Sequence, residues 1–175
     1  PTRRSSDLII LPNNSNIIMA AQSAAGLSEV PCAVVPTKSV PQAFSALFSA
    51  DETASLEENV ENMTSAFADT KTGEVTTAIK DSKDAHDNPI HNGDVIGIAD
   101  GSIEAVGSSV EDVVMSLLDT MEAEDADTLT LLAGEDFSDG QLDALVERIE
   151  SRFDELEVDA HRGEQPLYPI VFSVE

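Results

Sequence analysis

Two short apolar runs constrain this chain more than any other feature. "LIIL" at residues 8–11 and "PCAVVP" at 31–36 are hydrophobic without interruption, the pattern of strands buried on both faces. Between them lies "PNNSNIIMAAQSAAGL" (12–27), in which Asn16 takes the N-cap position of a helix that runs through the alanine-rich stretch and ends near Gly26. After the second run, Pro41 suits the first turn of a short helix with Ala43, Phe44, Leu47 and Phe48 turned inward. Strand–helix–strand–helix is a βα repeat, which predicts a parallel sheet.

The remainder mixes both element types. Ser55 and Glu58 form a capping box, and Leu56, Val60, Met63 and Phe67 recur at helical spacing behind it. "GEVTTAIK" (73–80) alternates like a strand, "DSKDAHDNP" is a polar loop, and Asn92-Gly93 and Asp100-Gly101 both favour tight hairpin turns. An antiparallel meander is expected there. Ser109 caps a helix whose inner stripe is Val110, Val113, Val114, Leu117, Leu118 and Met121. "DTLTLLAG" (127–134) reads as a third parallel strand. Ser138 and Gln141 box the next helix, lined by Leu142, Leu145, Val146, Ile149 and Phe153. "EVDAHRG" (157–163) and "YPIVFSVE" (168–175) close the chain as strands. The expected fold is one α/β unit, a parallel βα sheet with an antiparallel β-meander insertion.

Charge narrows the function classes. The 175 residues carry 34 acidic against 9 basic side chains, a net charge of −25, which argues against nucleic acid or an anionic membrane surface as partner. A hydrophobic content of 41% marks a folding chain, not a disordered acidic tail. Cys32 is the only cysteine, so no intrachain disulfide and no thiolate cluster can form, and its apolar context reads as a small buried hydrophobe. No apolar stretch approaches the roughly 18 residues of a membrane span, and a reducing cytoplasm is the default. The opening "PTRRSSDL" fits neither a signal nor a transit peptide and matches the translated end of a widely used sequencing adapter. Residues 1–8 are therefore read as an artefact, residues 9–175 as the domain, and the native chain as continuing upstream.

Few residues announce chemistry. His86, His91 and His161 lack the compact spacing of a zinc site, and "DSKDAHD" lacks the alternating ligands, central Gly and closing Glu of a calcium loop. No phosphate-binding Gly-rich loop, dinucleotide fingerprint or nucleophile elbow is present. What remains are small polar clusters after predicted strands: "LPNNSN" (11–16), "PTKS" (36–39) and "AGEDFS" (133–138). Open parallel sheets form their ligand crevice at strand carboxyl ends, where helix N-termini also offer unpaired N–H groups to anions, so Asn13, Asn14, Thr37 and Lys38 are candidates for lining a site. Equally, asparagine tolerates left-handed backbone and bonds its own turn, so Asn13 and Asn14 can be turn residues. "HRGEQPLYP" (161–169), with Gln165 and the only tyrosine, Tyr168, is either a rigid recognition loop or a buried turn.

Six ordered blocks, "ILPNNSNIIMAA", "VVPTKSVPQAFSAL", "TKTGEVTTAIKD", "NGDVIGIADG", "LAGEDFS" and "GEQPLYPIVFSVE", resemble the C-terminal region of the fatty acid kinase catalytic subunit family, also called YloV-like or dihydroxyacetone kinase-like. The resemblance runs from about Ile9 to Glu175. It implies a fold similar to DegV-like proteins and the dihydroxyacetone kinase K subunit, and by that analogy an alternative role as a lipid-binding lobe or as a small-ligand lobe in which Asn13, Asn14, Thr37 and Lys38 hold a phosphate, carboxylate or triose. It implies a partner-docking role, engaging a fatty-acid-carrying DegV-like protein while a separate ATP-binding domain phosphorylates the acyl carboxylate for phospholipid synthesis. On that footing no catalytic or metal-binding residue falls on this chain, and ATP and Mg belong to the missing kinase domain. A homodimer through missing domains is compatible with it. A Gly-Gly-Gln-Thr-type motif usually precedes the "LPNN" block in the family and is absent here, as an upstream truncation would produce.

Overall fold

The computed structural model describes residues 7–84 and 86–175, so most of the adapter-like stretch lies outside the described residues. The chain divides into two compact units, the first ending at Thr70 and the second spanning Lys71–Glu175.

In the first unit, β1 (Leu8–Ile10) and β2 (Cys32–Val34) pair in parallel, Leu8 opposite Cys32 and Ile10 opposite Val34. The helix between them, α1 (Ile18–Gly26), supplies the crossover that a parallel pair requires. It does not start from Asn16. Asn14 is the cap: its side chain accepts from the Asn16 N–H at 2.9 Å and opens a short 3₁₀ turn, Ser15–Ile17, that leads into α1. The sequence offers three amides within four positions, and the tighter 3₁₀ entry moves the cap two residues upstream.

The two strands are also less enclosed than their composition predicts, with Leu8 exposed and Cys32 half-buried. A two-stranded sheet has an edge on each side and little area to cover.

Ser39 caps α2 (Val40–Phe48) through the Gln42 N–H, with Pro41 in the first turn as expected. Its buried face differs from the predicted one. Ala43 and Ala46 lie inside, whereas Phe44, Leu47 and Phe48 are exposed, Phe48 to 91%. Ala46 packs with Met63 of α3 (Leu56–Ala66), and the bulky residues are left on the exposed part of the helix. The resulting core is small: Val35, Ala46 and Met63, supported by Ile9, Leu11, Val60 and Phe67. The Ser55–Glu58 capping box of α3 forms in both directions.

The second unit is built on a six-stranded sheet. Its strands are β3 (Lys71–Thr77), β6 (Val95–Ala99), β7 (Ser102–Gly107), β8 (Thr128–Ala133), β9 (Glu157–Arg162) and β10 (Ile170–Val174), in the order β7-β6-β3-β10-β8-β9. A small hairpin of β4 (Ser82–Lys83) and β5 (Pro89–Ile90) is inserted after β3. The expected meander is present as β3, β6 and β7. Asp100 and Gly101 both adopt left-handed backbone at its β6–β7 turn, φ +47° and +91°, which matches the twist of the flanking strands. Asn92-Gly93 also turns, but the strands beside it do not pair with each other; β5 pairs β4, and β6 pairs β3 and β7.

The expectation that "DTLTLLAG" extends the N-terminal parallel sheet is corrected by the strand pairing. β8 pairs in parallel with β9 and antiparallel with β10, in a sheet separate from β1 and β2. The terminal strand β10 inserts between β3 and β8, a long-range pairing that no local pattern encodes.

Two helices, α4 (Val110–Thr120) and α5 (Asp139–Arg152), complete this unit. Their stripes, Val113, Val114, Leu117 and Leu118 on one and Leu142, Leu145 and Ile149 on the other, join Val75, Leu129, Leu131, Ile170 and Phe172 in one core. Burying each such side chain contributes about 1.5–3 kcal/mol before conformational entropy is set against it. Ser109 caps α4, and Ser138 with Gln141 boxes α5, both as the spacing predicts.

Candidate functional site

The candidate residues fall into two groups, one in each unit. In the first, the parallel pairing of β1 and β2 brings their carboxyl ends together, and with them Asn13 and Thr37. The Asn13 N–H donates to Thr37 Oγ1 at 3.1 Å, and that hydroxyl donates to Asn13 Oδ1 at 2.7 Å. Asn13 sits at φ +56°, in the left-handed region that asparagine tolerates. Thr37 is fully buried, and Asn14 is committed to its cap. Lys38 is exposed; its N–H donates to Gln42 Oε1 at 2.8 Å, fixing the start of α2. The first unit thus has a cross-braced pair of turns, with the Asn13, Asn14 and Thr37 side chains engaged in holding it.

The second group surrounds the 163–169 loop. Gln165 Nε2 donates to the carbonyls of Leu132 (2.8 Å) and Tyr168 (3.1 Å), and the Gln165 carbonyl accepts from the Glu135 N–H at 3.1 Å. Arg162 donates to the carbonyls of Gly134, at 3.0 Å, and Phe137, and its Nε reaches Glu164 at 3.3 Å. The Thr76 hydroxyl donates to the Leu167 carbonyl at 2.7 Å. Gly134 is required beneath this loop, because a Cβ there would fall 2.7 Å from the Gln165 carbonyl oxygen and closer still to that of Tyr168.

This network frames a cavity of about 650 Å³ whose walls include Ile90, Ile96, Ile103, Tyr168 and Pro169. Ile79 and Leu167 also line it, 87% and 80% exposed. Thr76 and Ile96 are register partners and so share a sheet face, opposite the one on which Val75 joins the α4 core. The β4–β5 hairpin encloses the cavity through Ile90, which packs with Ala78, Ile96 and Ile103. Glu74, two residues before Thr76 on the same face, is half-buried, and that burial raises its carboxyl above the usual range. Burial, then the nearby Glu74 charge, pushes the Tyr168 hydroxyl up.

Sequence reasoning singled out Gln165 and Tyr168 but not Thr76, Ile79 or Leu167. The alternation of "GEVTTAIK" places Thr76 on a face but says nothing of which loop crosses it. Among the described residues, no three His, Cys, Asp or Glu side chains gather as metal ligands, and no helix is long and apolar enough to cross a membrane.

Known proteins share both the sequence and this architecture. The family described as fatty acid kinase A-subunit-like (FakA-like), C-terminal, matches residues 2–175. An uncharacterized protein of Staphylococcus haemolyticus (strain JCSC1435) is 42% identical over 167 residues, 95% of this chain and 30% of that protein. One of Staphylococcus aureus (strain USA300) is 39% identical over 167 residues, again 95% of this chain and 30% of that protein. This chain therefore spans 30% of the length of the curated relatives it matches. Among solved structures, a DegV family protein from Corynebacterium glutamicum aligns with TM-score 0.63 and 13% identity, over 96% of this chain and 74% of that one. A DegV family protein from Eubacterium eligens, loaded with heptadecanoic acid, aligns with TM-score 0.59 and 14% identity, over 97% and 73%. At such identities the likeness concerns fold, and the fold is DegV-like, mixed α/β with a parallel-containing sheet.

Proposed function

The chain belongs to the FakA-like C-terminal family of fatty acid kinase proteins, and from that premise we propose that it is a non-catalytic docking region. On this reading it engages a DegV-like protein that carries a fatty acid. It orients the acyl carboxylate toward an ATP and Mg site in a kinase domain outside this chain, contributing position and not chemistry. The acyl phosphate made there would feed phospholipid synthesis.

The state of the loop side chains carries the reading. The polar side chains at the strand ends, Asn13, Asn14, Thr37 and Gln165, are engaged in holding their own loops, while the loop anchored by Gln165 presents Leu167 outward beside Ile79. Rigid loops with apolar tips suit recognition of another protein better than capture of a small polar ligand. The test is calorimetry between the full-length gene product and an acyl-loaded DegV-like protein. Micromolar or tighter binding is expected, and no binding at low salt would overturn the reading.

A second reading, a small-ligand or lipid-binding lobe, is favoured by the apolar cavity of about 650 Å³. A thermal shift of the protein with added palmitate would support it, and a flat response would exclude it.

A further inference from the structure

We infer that the first unit is completed by native chain preceding residue 9. A strand of that chain lies parallel along the free edge of β1, and the helix that leads into β1 packs on the outer surface of α1. The occupant is thus another part of the same polypeptide, and the inference does not depend on the docking reading.

The composition of α1 and its surroundings do not match. From Leu8 to Ser28 no charged side chain occurs, in a chain of which 25% is charged. A helix that is apolar on every side belongs in an interior. Yet no residue of α1 is buried; Met19 is 78% exposed, and Leu27, just past the helix, 86%. Ile18, Ala21 and Ala25, at helical spacing, form its half-covered side, and Met19, Ala20, Ala24 and Leu27 are left on the other. α3, in the same unit, shows what a solvated side looks like, with Glu57, Glu58 and Glu61 all exposed there.

The edge of β1 is equally unguarded. The Leu8 N–H donates to the Pro31 carbonyl, and the Ile10 carbonyl accepts from the Val35 N–H, both toward β2. The alternation of a parallel strand turns the Ile9 N–H and carbonyl to the opposite edge. Among the described residues no strand pairs there. Natural sheets protect such edges with charge, proline or a bulge, and Leu8–Ile10 has none of these.

Topology selects the occupant. Parallel sheets are covered on both faces and are assembled from successive βα units of one chain. Crossovers are right-handed, so a helix entering β1 from its open side lies on the same face as α1, beside it. The DegV family structures extend beyond the part that aligns with this chain, so the shared fold has further elements to supply. A second copy fits less well. The nine residues of α1 offer a strip about 14 Å long and 10 Å wide, far short of the roughly 800 Å² per partner of a stable dimer. A tethered segment needs no such area, because its effective concentration is high. No lysine or arginine lies between Leu8 and Thr37, which disfavours a membrane surface.

The test is hydrogen exchange on the full-length gene product at single-amide resolution, with oligomeric state followed by analytical ultracentrifugation. The Ile9 amide should exchange about a hundredfold or more slowly than in unstructured peptide. Met19→Asp/Leu27→Asp should speed exchange about tenfold or more in chain upstream of residue 9, with the oligomeric state unchanged. Met19→Ala/Leu27→Ala, a milder change, should act in the same direction. A freely exchanging Ile9 amide, or upstream exchange that neither double variant moves, would overturn the inference, as would a gene that begins at residue 9. Ile9 protection that disappears as a dimer dissociates would give the surface to a second copy and overturn it. Protection that requires an added acyl-loaded DegV-like protein would give the surface to that partner, with the same consequence.

Discussion

Asn13 and Thr37, 24 positions apart, close the carboxyl ends of β1 and β2 onto each other through one hydroxyl that both accepts and donates. Because Thr37 is fully buried, removing its oxygen leaves two polar groups of Asn13 without that partner. Thr37→Val should therefore destabilise the protein by about 1–3 kcal/mol in urea denaturation. Asn13→Gly, which keeps the left-handed backbone, should lose less than Asn13→Ala, which also strains it. Equal stability of Thr37→Val and wild type would contradict the bracing role.

The loop over the second unit's cavity depends on Gly134 being bare. Gly134→Ala forces a Cβ against the carbonyl oxygens of Gln165 and Tyr168, which are backbone and cannot rotate away. We expect a loss of about 1–3 kcal/mol. Faster hydrogen exchange at the Glu135 amide should accompany it, because that N–H is bonded to the displaced Gln165 carbonyl. A variant with unchanged exchange there would rule out this arrangement.

Glu74 carries a testable pH signature. Burial raises its folded carboxyl above the ordinary value of 4.5, so the folded state holds the proton more tightly than the unfolded one. Stability from this group is present below that value and is lost as pH rises through the folded one. Glu74→Gln does not titrate, so its melting temperature should exceed that of wild type at pH 7–8, and the gap should close as the pH is lowered below 4.5. A gap independent of pH would show that burial of the charge is not its cause.

Four other carboxylates behave oppositely. Asp51, Glu58, Asp84 and Asp112 are held below their ordinary values chiefly by hydrogen bonds, from Thr53, Ser55, Asn88 and Ser109 respectively. Their contribution is present above the unfolded carboxyl range and disappears as pH falls through the folded values. Ser109→Ala should accordingly flatten the acid limb of the stability curve and raise the Asp112 carboxyl, read by NMR titration. An unmoved Asp112 titration would count against the Ser109 hydroxyl, which donates to Asp112 Oδ2, as its cause.

The helices with strong inner stripes are legible from spacing alone. α4 and α5 bury Val113, Leu117, Leu142 and Ile149 as their periodicity demands, and their Ser caps sit where the sequence places them. α2 is not legible in this way. Nothing in "VPQAFSALF" says that alanines, not phenylalanines, will be buried. The candidate sites divide similarly. A turn role for Asn13 is readable from its residue type, but its partner Thr37 requires the parallel register of β1 with β2. The rim of Ile79 and Leu167 cannot be read at all, since it exists only where the 163–169 loop crosses the end of β3.

Local chemistry thus settles the order of elements, the capping of α3, α4 and α5, the type of turn at Asp100-Gly101 and the acidic charge balance. These are decided within a few residues, by backbone preference, side-chain reach and composition. The entry of β10 between β3 and β8 belongs to the folded molecule, as does the division of the parallel strands between two separate sheets. So does the outcome that polar loop residues brace while apolar ones project. Each of those depends on which distant surfaces bury each other, and burial energy is summed over partners that no local stretch of chain contains.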